Sequence, residues 1–399
     1  MAKARFTPNY TIGKPGLDTA GLRSAAQADP DGFMHKMNGL IDSGELSWSS
    51  IRDIKRLYNA LGDVDVTTTI EIAGQQRAVT TSAFPLLTGG LTIAAINEAY
   101  EGVPTIGQEL VTEMEDNKRN TVIAGITSDN PAVDGVKEGD DYPEIGASEE
   151  KFEVRSKRNG RRLSITAEMI EENDIANIVS RINALGEIAA ETIEEQTLRR
   201  VFDIDGSATS PAEPYVLHFE GAAASLYSVT ANTPGTRAPS GTRINSNALV
   251  DTTDLETARA RLASMKNSRG KRIAIPMSQC QIVVPDALAG TAMKILNSEL
   301  EPSVENEINN WGPRGAYRPM LLTSPKIDDL STTVWYLGNF KKQFVRKWKL
   351  RFEYVSLGNS TESYLRSRLA AQFRIGWDCE IGARDYVYVV QNLSATTAP

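Results

Sequence analysis

From Ile175 to Phe202 the chain carries no proline and a single glycine, Gly186. Ile175, Ile178, Val179, Ile182, Leu185, Ala189, Ile193 and Leu198 recur at three- and four-residue steps, the spacing that lines one face of an α-helix. The other side carries Glu187, Glu191, Glu194 and Glu195, and the turn-forming "FDIDGS" closes the segment. At about 1.5 Å per residue such a helix runs on the order of 40 Å, longer than a small domain is wide.

Directly before this helix, Lys151, Arg155, Lys157, Arg158, Arg161 and Arg162 crowd into "KFEVRSKRNGRR", opposed only by Glu153, although the whole chain has a net charge of -8. Upstream, residues 127–150 carry Asp129, Asp134, Glu138, Asp140, Asp141, Glu144, Glu149 and Glu150 among Asn, Pro and Gly. Loops of this length are functional or disordered. An acidic outgoing arm meeting a basic returning strand reads as an extended two-stranded projection. Asn159-Gly160 is either a tight type I′ turn or a bend in one long strand.

Composition removes several function classes. The two histidines, His35 and His218, leave no HExxH pair and no His-rich metal site. There is no GxxxxGK[ST] loop, no GxGxxG turn after a strand and no GxSxG elbow. His35 lies in a helical turn and His218 in a short apolar strand, where structural roles are expected. Adjacent pairs such as Glu171-Glu172 and Glu194-Glu195 diverge on a helix and suit solvated faces better than acid-base work. Glu113, Glu115 and Asp116 lack the alternating ligands and glycine of a calcium loop. No catalytic residue, cofactor or metal is expected, and the chain is not expected to be an enzyme. Cys280 and Cys379 lack a CxxC partner and are expected to be buried free thiols in a reducing compartment. No apolar signal region follows "MAKARF", and "SAFPLLTGGLTIAAINEAY" is too interrupted to span a bilayer. Cytoplasmic synthesis without membrane attachment is expected.

The remaining segments read as alternating helices and strands. "SWSSIRDIKRLYNALGD" places Ile51, Ile54, Leu57, Tyr58 and Leu61 on one face of a helix begun by Ser49 or Ser50 and stopped at Gly62. "TTTIEIAG" and "RNTVIAGI" read as strands, and "LTIAAINEAYEG" as a short helix ending at Gly102. Residues 203–247 read as loops with short strands. A helix over "LETARARLASMKNSRG", capped at Asp254 or a preceding threonine and closed by Gly270, precedes a buried strand and a helix in "QIVVPDALAGTAMKIL". "TTVWYLGNF" and "FVRKWKLRFEYVS" suggest a hairpin. In its second strand Trp348, Leu350, Phe352 and Tyr354 alternate with Lys347, Lys349, Arg351 and Glu353, as in a half-buried strand. Strands close the chain.

The order of these parts resembles the Hong Kong 97-type major capsid protein of tailed bacteriophages. Ser164 to Asp174, "SITAEMIEEND", is similar to that family's junction between an extended loop and a spine helix. "IVVPDALAG" and "FRIGWDCEIGARDYVYVV" are similar to its later strands. The resemblance covers the chain from roughly residue 67 to the end. It implies an α+β fold with an N-terminal arm and helical segment over 1–66 and the first part of a peripheral domain over 67–126. An extended loop follows over 127–165, then the spine helix and the rest of the peripheral domain over 166–244. An axial domain occupies 245–360, and closing strands 361–399. The implied function is a structural head protein that self-assembles through pentamers and hexamers into an icosahedral shell around double-stranded DNA. Assembly is implied in the bacterial host cytoplasm, and the product in the virion. Scaffolding, portal and decoration proteins are further implied partners; DNA contacts are implied to be weak, and no membrane or cofactor is involved. Some members cross-link a loop lysine to a neighbour; Lys137 and Lys151 lie in the right region without a matching motif, and solvated roles are expected. Residues 1–66 are short for the cleaved scaffolding region of other members, so no cleavage is expected.

On this reading Arg155, Lys157, Arg158, Arg161 and Arg162 contact acidic surface on a neighbouring copy, its Glu187, Glu191 and Glu194 face, where charge fixes register more than affinity. Two alternatives stand for the cations: a solvated strand, or a face turned to packaged DNA. Rival functions are an encapsulin-type nanocompartment shell, a tail or sheath subunit and, from a different class, a cytoplasmic two-domain α/β enzyme, for which no polar pocket is nominated.

Overall fold

The apolar spacings resolve into helices and strands in a computed structural model that describes residues 19–394. Short breaks fall at 45, 52, 63, 73–74, 220–221 and 268–269, and longer ones at 125–150, 203–215, 230–236, 301–307 and 358–368. The acidic arm expected over 127–150 lies outside the described residues. In chain order the elements are α1 (Thr19–Ala28), α2 (Pro30–Asp42), α3 (Ile54–Leu61), β1 (Asp65–Ile72), β2 (Gln75–Ser82), α4 (Ala83–Gly102), α5 (Gly107–Leu110), β3 (Thr112–Glu115) and β4 (Asn120–Ala124). Next come β5 (Lys151–Arg155), β6 (Lys157–Thr166), α6 (Ala167–Glu171), α7 (Ile175–Phe202), β7 (Val216–Phe219), β8 (Ala222–Ser225), β9 (Arg243–Ile244) and α8 (Thr252–Ala263). The chain ends through β10 (Gln281–Pro285), α9 (Asp286–Asn297), β11 (Met320–Ser324), α10 (Pro325–Asp328), β12 (Trp335–Gly338), α11 (Phe340–Gln343), β13 (Phe344–Leu357), β14 (Leu369–Ala383) and β15 (Val389–Asn392). The class is α+β.

The chain divides into two units. The first comprises Met1–Pro104, Arg158–Thr192 and Leu350–Asp378. Its core gathers Phe33, Met37 and Ile41 of α2, Ile54, Leu57 and Leu61 of α3, Phe84, Leu87 and Leu91 of α4, and Ile178 and Ile182 of α7. Tyr58 meets Phe84 edge to face at 5.0 Å. Helix α7 approaches α4 closely because Gly186 has no side chain: a Cβ there would stand 2.7 Å from the Ala99 Cβ and 2.8 Å from the Ile96 carbonyl.

The junction between β6 and α7 is built from three polar residues. Thr166 ends the strand and caps α6, its Oγ1 accepting from the Met169 amide at 3.3 Å. Asn173 then adopts a positive φ of 55°, a conformation that asparagine tolerates better than most residues. Asp174 caps α7 by accepting from the Asn177 amide at 3.3 Å. Asn173 Oδ1 also accepts from the Ile54 amide at 2.8 Å, which ties the junction to the start of α3. Strand β6 runs straight through Asn159-Gly160, so the continuous strand is the correct one of the two readings. Glycine is needed there because β14 passes so close that a Cβ would lie 2.6 Å from the Ile375 carbonyl oxygen.

The second unit comprises Thr105–Lys157, Ile193–Lys349 and Cys379–Pro399. Its centre is a mixed five-stranded sheet in the order β11-β10-β12-β15-β9. Strands β10, β12 and β15 are buried along their whole length; β10 and β12 accordingly read as largely apolar runs, while β15 buries the polar Gln391 and Asn392 as well. The last carbonyls of α7 have no helical partner and take side-chain donors instead. The Tyr227 hydroxyl donates to Val201 O at 2.8 Å, the Tyr336 hydroxyl to Phe202 O at 2.6 Å, and Gln391 Nε2 to Phe202 O at 3.2 Å. Cys280 and Cys379 are buried and form no disulfide, as expected of them, and burial pushes the Cys280 thiol up to about 12. Strands β4 and β5 form a separate antiparallel ribbon, with Asn120 opposite Arg155 and Ala124 opposite Lys151.

Several local expectations are corrected. Strands β12 and β13 form no hairpin: α11 separates them, β12 pairs with β10 and β15, and the start of β13 runs parallel to β3. Lys347 does not face solvent; it and Arg346 are fully buried. Helix α3 is capped by Asp53, whose carboxylate accepts from the Arg56 amide at 3.0 Å, and not by Ser49 or Ser50. Helix α8 starts from a capping box between Asp251 and Asp254 and ends before Ser264, well short of Gly270. Helix α4 is longer than expected at 20 residues, because Pro85 falls in its first turn, where a missing amide hydrogen costs nothing.

Gly186→Ala separates two effects. Helix propensity favours alanine by ~1 kcal/mol, whereas overpacking against α4 costs ~1–3 kcal/mol. The substitution is expected to lower stability by about 1 kcal/mol, read as a lower urea midpoint.

Candidate interaction surface

Strand β6 neighbours β14 on one side and, among the described residues, forms a sheet edge on the other. Lys157, Arg158, Arg161 and Arg162 are all exposed on it. Charged side chains of this kind keep an open edge from pairing indiscriminately. Alternation splits them: Arg158 and Arg162 project on one face, Lys157 and Arg161 on the face that carries buried Ile165 further along. Arg158 is engaged within the subunit, its Nη2 lying 2.9 Å from Glu353 Oε2. Arg161 and Arg162 meet no acidic side chain among the described residues. Arg155 ends β5, and its side chain lies outside the described residues.

On α7, Glu187 and Glu191 are exposed one turn apart. Glu194 is not part of that face: only 2% of it is exposed. Its Oε1 accepts from the Ile106 amide at 3.0 Å and its Oε2 from the Gly107 amide at 3.0 Å. The carboxylate thereby satisfies the opening amides of α5. A Cβ on Gly107 would stand 2.4 Å from Glu194 Oε2, so only glycine fits beneath it. Arg346 lies alongside, donating from Nη2 to Thr197 Oγ1 at 2.9 Å, with Nη1 3.7 Å from Glu113 Oε1. Burial raises the Glu194 carboxyl above its ordinary range, against the opposing pull of the two amides and of the Arg346 and Lys326 charges.

The sequence held a signal for Glu194 that adjacency concealed. Ala190, Glu194, Thr197 and Val201 follow helical spacing, and the other three are buried. The apolar arc of α7 widens toward its end and takes Glu194 in. Among the described residues no cluster of His, Cys, Asp or Glu is placed to hold a metal ion, and no helix is long and apolar enough to cross a membrane.

Glu194→Ala leaves two buried amides without an acceptor and is expected to cost about 2–4 kcal/mol. Glu194→Gln keeps an acceptor and removes the titration. A raised folded-state pKa means that the protonated form favours the fold, a contribution present at acid pH and lost as pH rises through the raised value. The stability difference between wild type and the glutamine variant is therefore expected to move against wild type as pH rises above the ordinary glutamate range, followed by urea denaturation.

No curated protein matches the chain. Among solved structures, a virus-like particle from Pyrococcus furiosus is similar over 75% of this chain and 97% of its own, at 10% identity and a TM-score of 0.40. The mature capsid of bacteriophage PhiM1 is similar over 74% and 89%, at 10% identity and a TM-score of 0.44. The capsid of cyanophage P-SCSP1u is similar over 74% and 89%, at 13% identity and a TM-score of 0.42. A family model described as phage capsid protein matches residues 149–390, more than half of the chain, from the start of the basic ribbon strand into β15. The chain belongs to the phage capsid protein family.

Proposed function

We propose that this chain is the major head subunit of a tailed phage, of the Hong Kong 97 type, and that it assembles through pentamers and hexamers into an icosahedral shell around double-stranded DNA. The family match over residues 149–390 carries this reading. Host cytoplasm as the place of assembly, and scaffolding, portal and decoration proteins as further partners, belong to the same proposal. The net charge of -8 suits a container whose wall must not grip its contents; any phosphate contacts are few and salt-sensitive.

Exposed β6 cations supply the neighbour contact in this scheme. Arg161 and Arg162 are its main contributors, with Arg155 and Lys157 beside them and Arg158 shared with Glu353. The acidic counterpart is Glu187 and Glu191 of the adjacent copy, without Glu194. Each exposed pair contributes only ~0.2–1 kcal/mol, so the interaction acts through repetition and leaves early contacts reversible.

Sedimentation velocity with negative-stain microscopy tests the reading. Closed shells, or rings of five or six subunits, are expected; helical tubes would replace it with a tail role, and protein cargo in place of DNA with a nanocompartment. Arg161→Glu combined with Arg162→Glu is expected to abolish closed particles while the urea midpoint stays within about 0.5 kcal/mol of wild type. Normal particles from that double variant would show that the two arginines are merely solvated.

A further inference from the structure

Two consecutive cations in β13, Arg346 and Lys347, are 1% and 0% exposed. Burying an ammonium group costs several kcal/mol unless it is well satisfied. Arg346 points toward Thr197 and Glu113; strand alternation sends Lys347 the other way. Its Nζ donates to the carbonyl oxygen of Lys118. Lys118 lies in the turn between β3 and β4, just before the chain enters the β4–β5 ribbon.

That turn is built around the same spot. Strand β3 runs parallel to β13, with Glu113 opposite Arg346 and Met114 opposite Lys347. The Asp116 amide donates to Trp348 O at 2.9 Å. Asp116 Oδ1 accepts from the Lys118 amide at 3.0 Å, and its Oδ2 from the Thr121 hydroxyl at the first turn of the ribbon. One residue beyond Lys118, the Arg119 carbonyl accepts from the Ser156 amide at 3.0 Å, which fixes the returning strand at the same level. Val154 of that strand is buried against Gly382 of β14, where a Cβ would lie 2.3 Å from its Cγ2. A two-stranded ribbon is marginal in water by itself, so its direction depends on what holds its root.

We propose that Lys347 is a positioning residue for assembly: its buried ammonium clamps the Lys118 carbonyl and so sets the direction of the β4–β5 ribbon. The inference rests on the proposed contact with a neighbouring copy, to which Arg155 at the end of the ribbon belongs. A hydrophobic residue of the same length would fill the space and give the turn nothing to bind. The buried charge reaches the Lys118 carbonyl and also acts on Asp116, whose pairing with Thr121 holds that carbonyl's turn in shape.

Amide hydrogen exchange on the unassembled full-length subunit tests this, and its outcome does not depend on whether shells form. In Lys347→Met, amides of residues 118–124 and 151–156 are expected to exchange roughly ten- to a hundredfold faster, the equivalent of one charge-assisted hydrogen bond, while β10, β12 and β15 keep their protection. Under the same variant, particles are expected to be irregular or absent. Unchanged protection in the ribbon would overturn the proposal. So would an equal loss over the whole second unit, which would make Lys347 an ordinary core residue. Should Lys347→Met not fold, Thr121→Val removes the half-buried end of the same arrangement, and the same local acceleration is expected from it; wild-type exchange there would overturn the proposal. Wild-type subunits that form no particles, with the local acceleration present in the variant, would instead count against the shell function and leave the clamp standing.

Discussion

The end of α7 is the constraint on which the second unit depends. A helix that stops inside a protein leaves carbonyls that must find donors. Here Tyr227, Tyr336 and Gln391 supply them, from a loop and from two neighbouring strands of the central sheet. Gln391 also accepts from Arg243 at 2.5 Å and donates to the Tyr336 hydroxyl at 2.9 Å, so the donors support one another. β12 and β15 are thus tied to one helix terminus by side chains that are themselves buried, and β9 joins them through the half-buried Arg243. The apolar packing of Trp335, Val389 and Val390 around them keeps water from competing for those carbonyls.

Glu194 does comparable work about two turns earlier, with the polarity reversed: a carboxylate serves amides that open a helix, where hydroxyls and an amide serve carbonyls that close one. Both arrangements place charge or dipole where secondary structure leaves a group unmet. The helix therefore contributes polar anchors as well as apolar surface, and Leu198, Val201 and Phe202 enter the second core while Ile178 and Ile182 enter the first.

Periodicity made α7 legible from end to end, and the apolar run of β10 was legible likewise, because each pattern is local. Pairing was not legible. The strand character of Trp335–Gly338 and Phe344–Leu357 followed from composition, but nothing within either segment says that β12 lies between β10 and β15 while β13 starts beside β3. Burial of charge was equally hidden. Lys347 looked like the polar half of an alternating strand, and Glu194 like one more glutamate on an acidic helix. In both cases the deciding partners, the Lys118 carbonyl and the Gly107 amide, are backbone groups distant in the chain, and backbone groups leave no mark in a sequence. Of the proposed surface, the exposure of Arg161, Arg162, Glu187 and Glu191 could be read from pattern; the engagement of Arg158 by Glu353 and the loss of Glu194 could not.

Strand β6 shows its cations on both faces, and its Gly160 sits where β14 leaves no room for a side chain. Together these make the strand's length a stricter inheritance than its composition. Exchanging lysine for arginine at an exposed position leaves the spacing of charge intact. Inserting or deleting one residue between Gly160 and Ile165 would rotate every cation to the opposite face or pull Ile165 from its core, and would move the glycine away from the only place it fits. Descendants of this chain are free to drift in charge along β6, and bound to keep count of its residues.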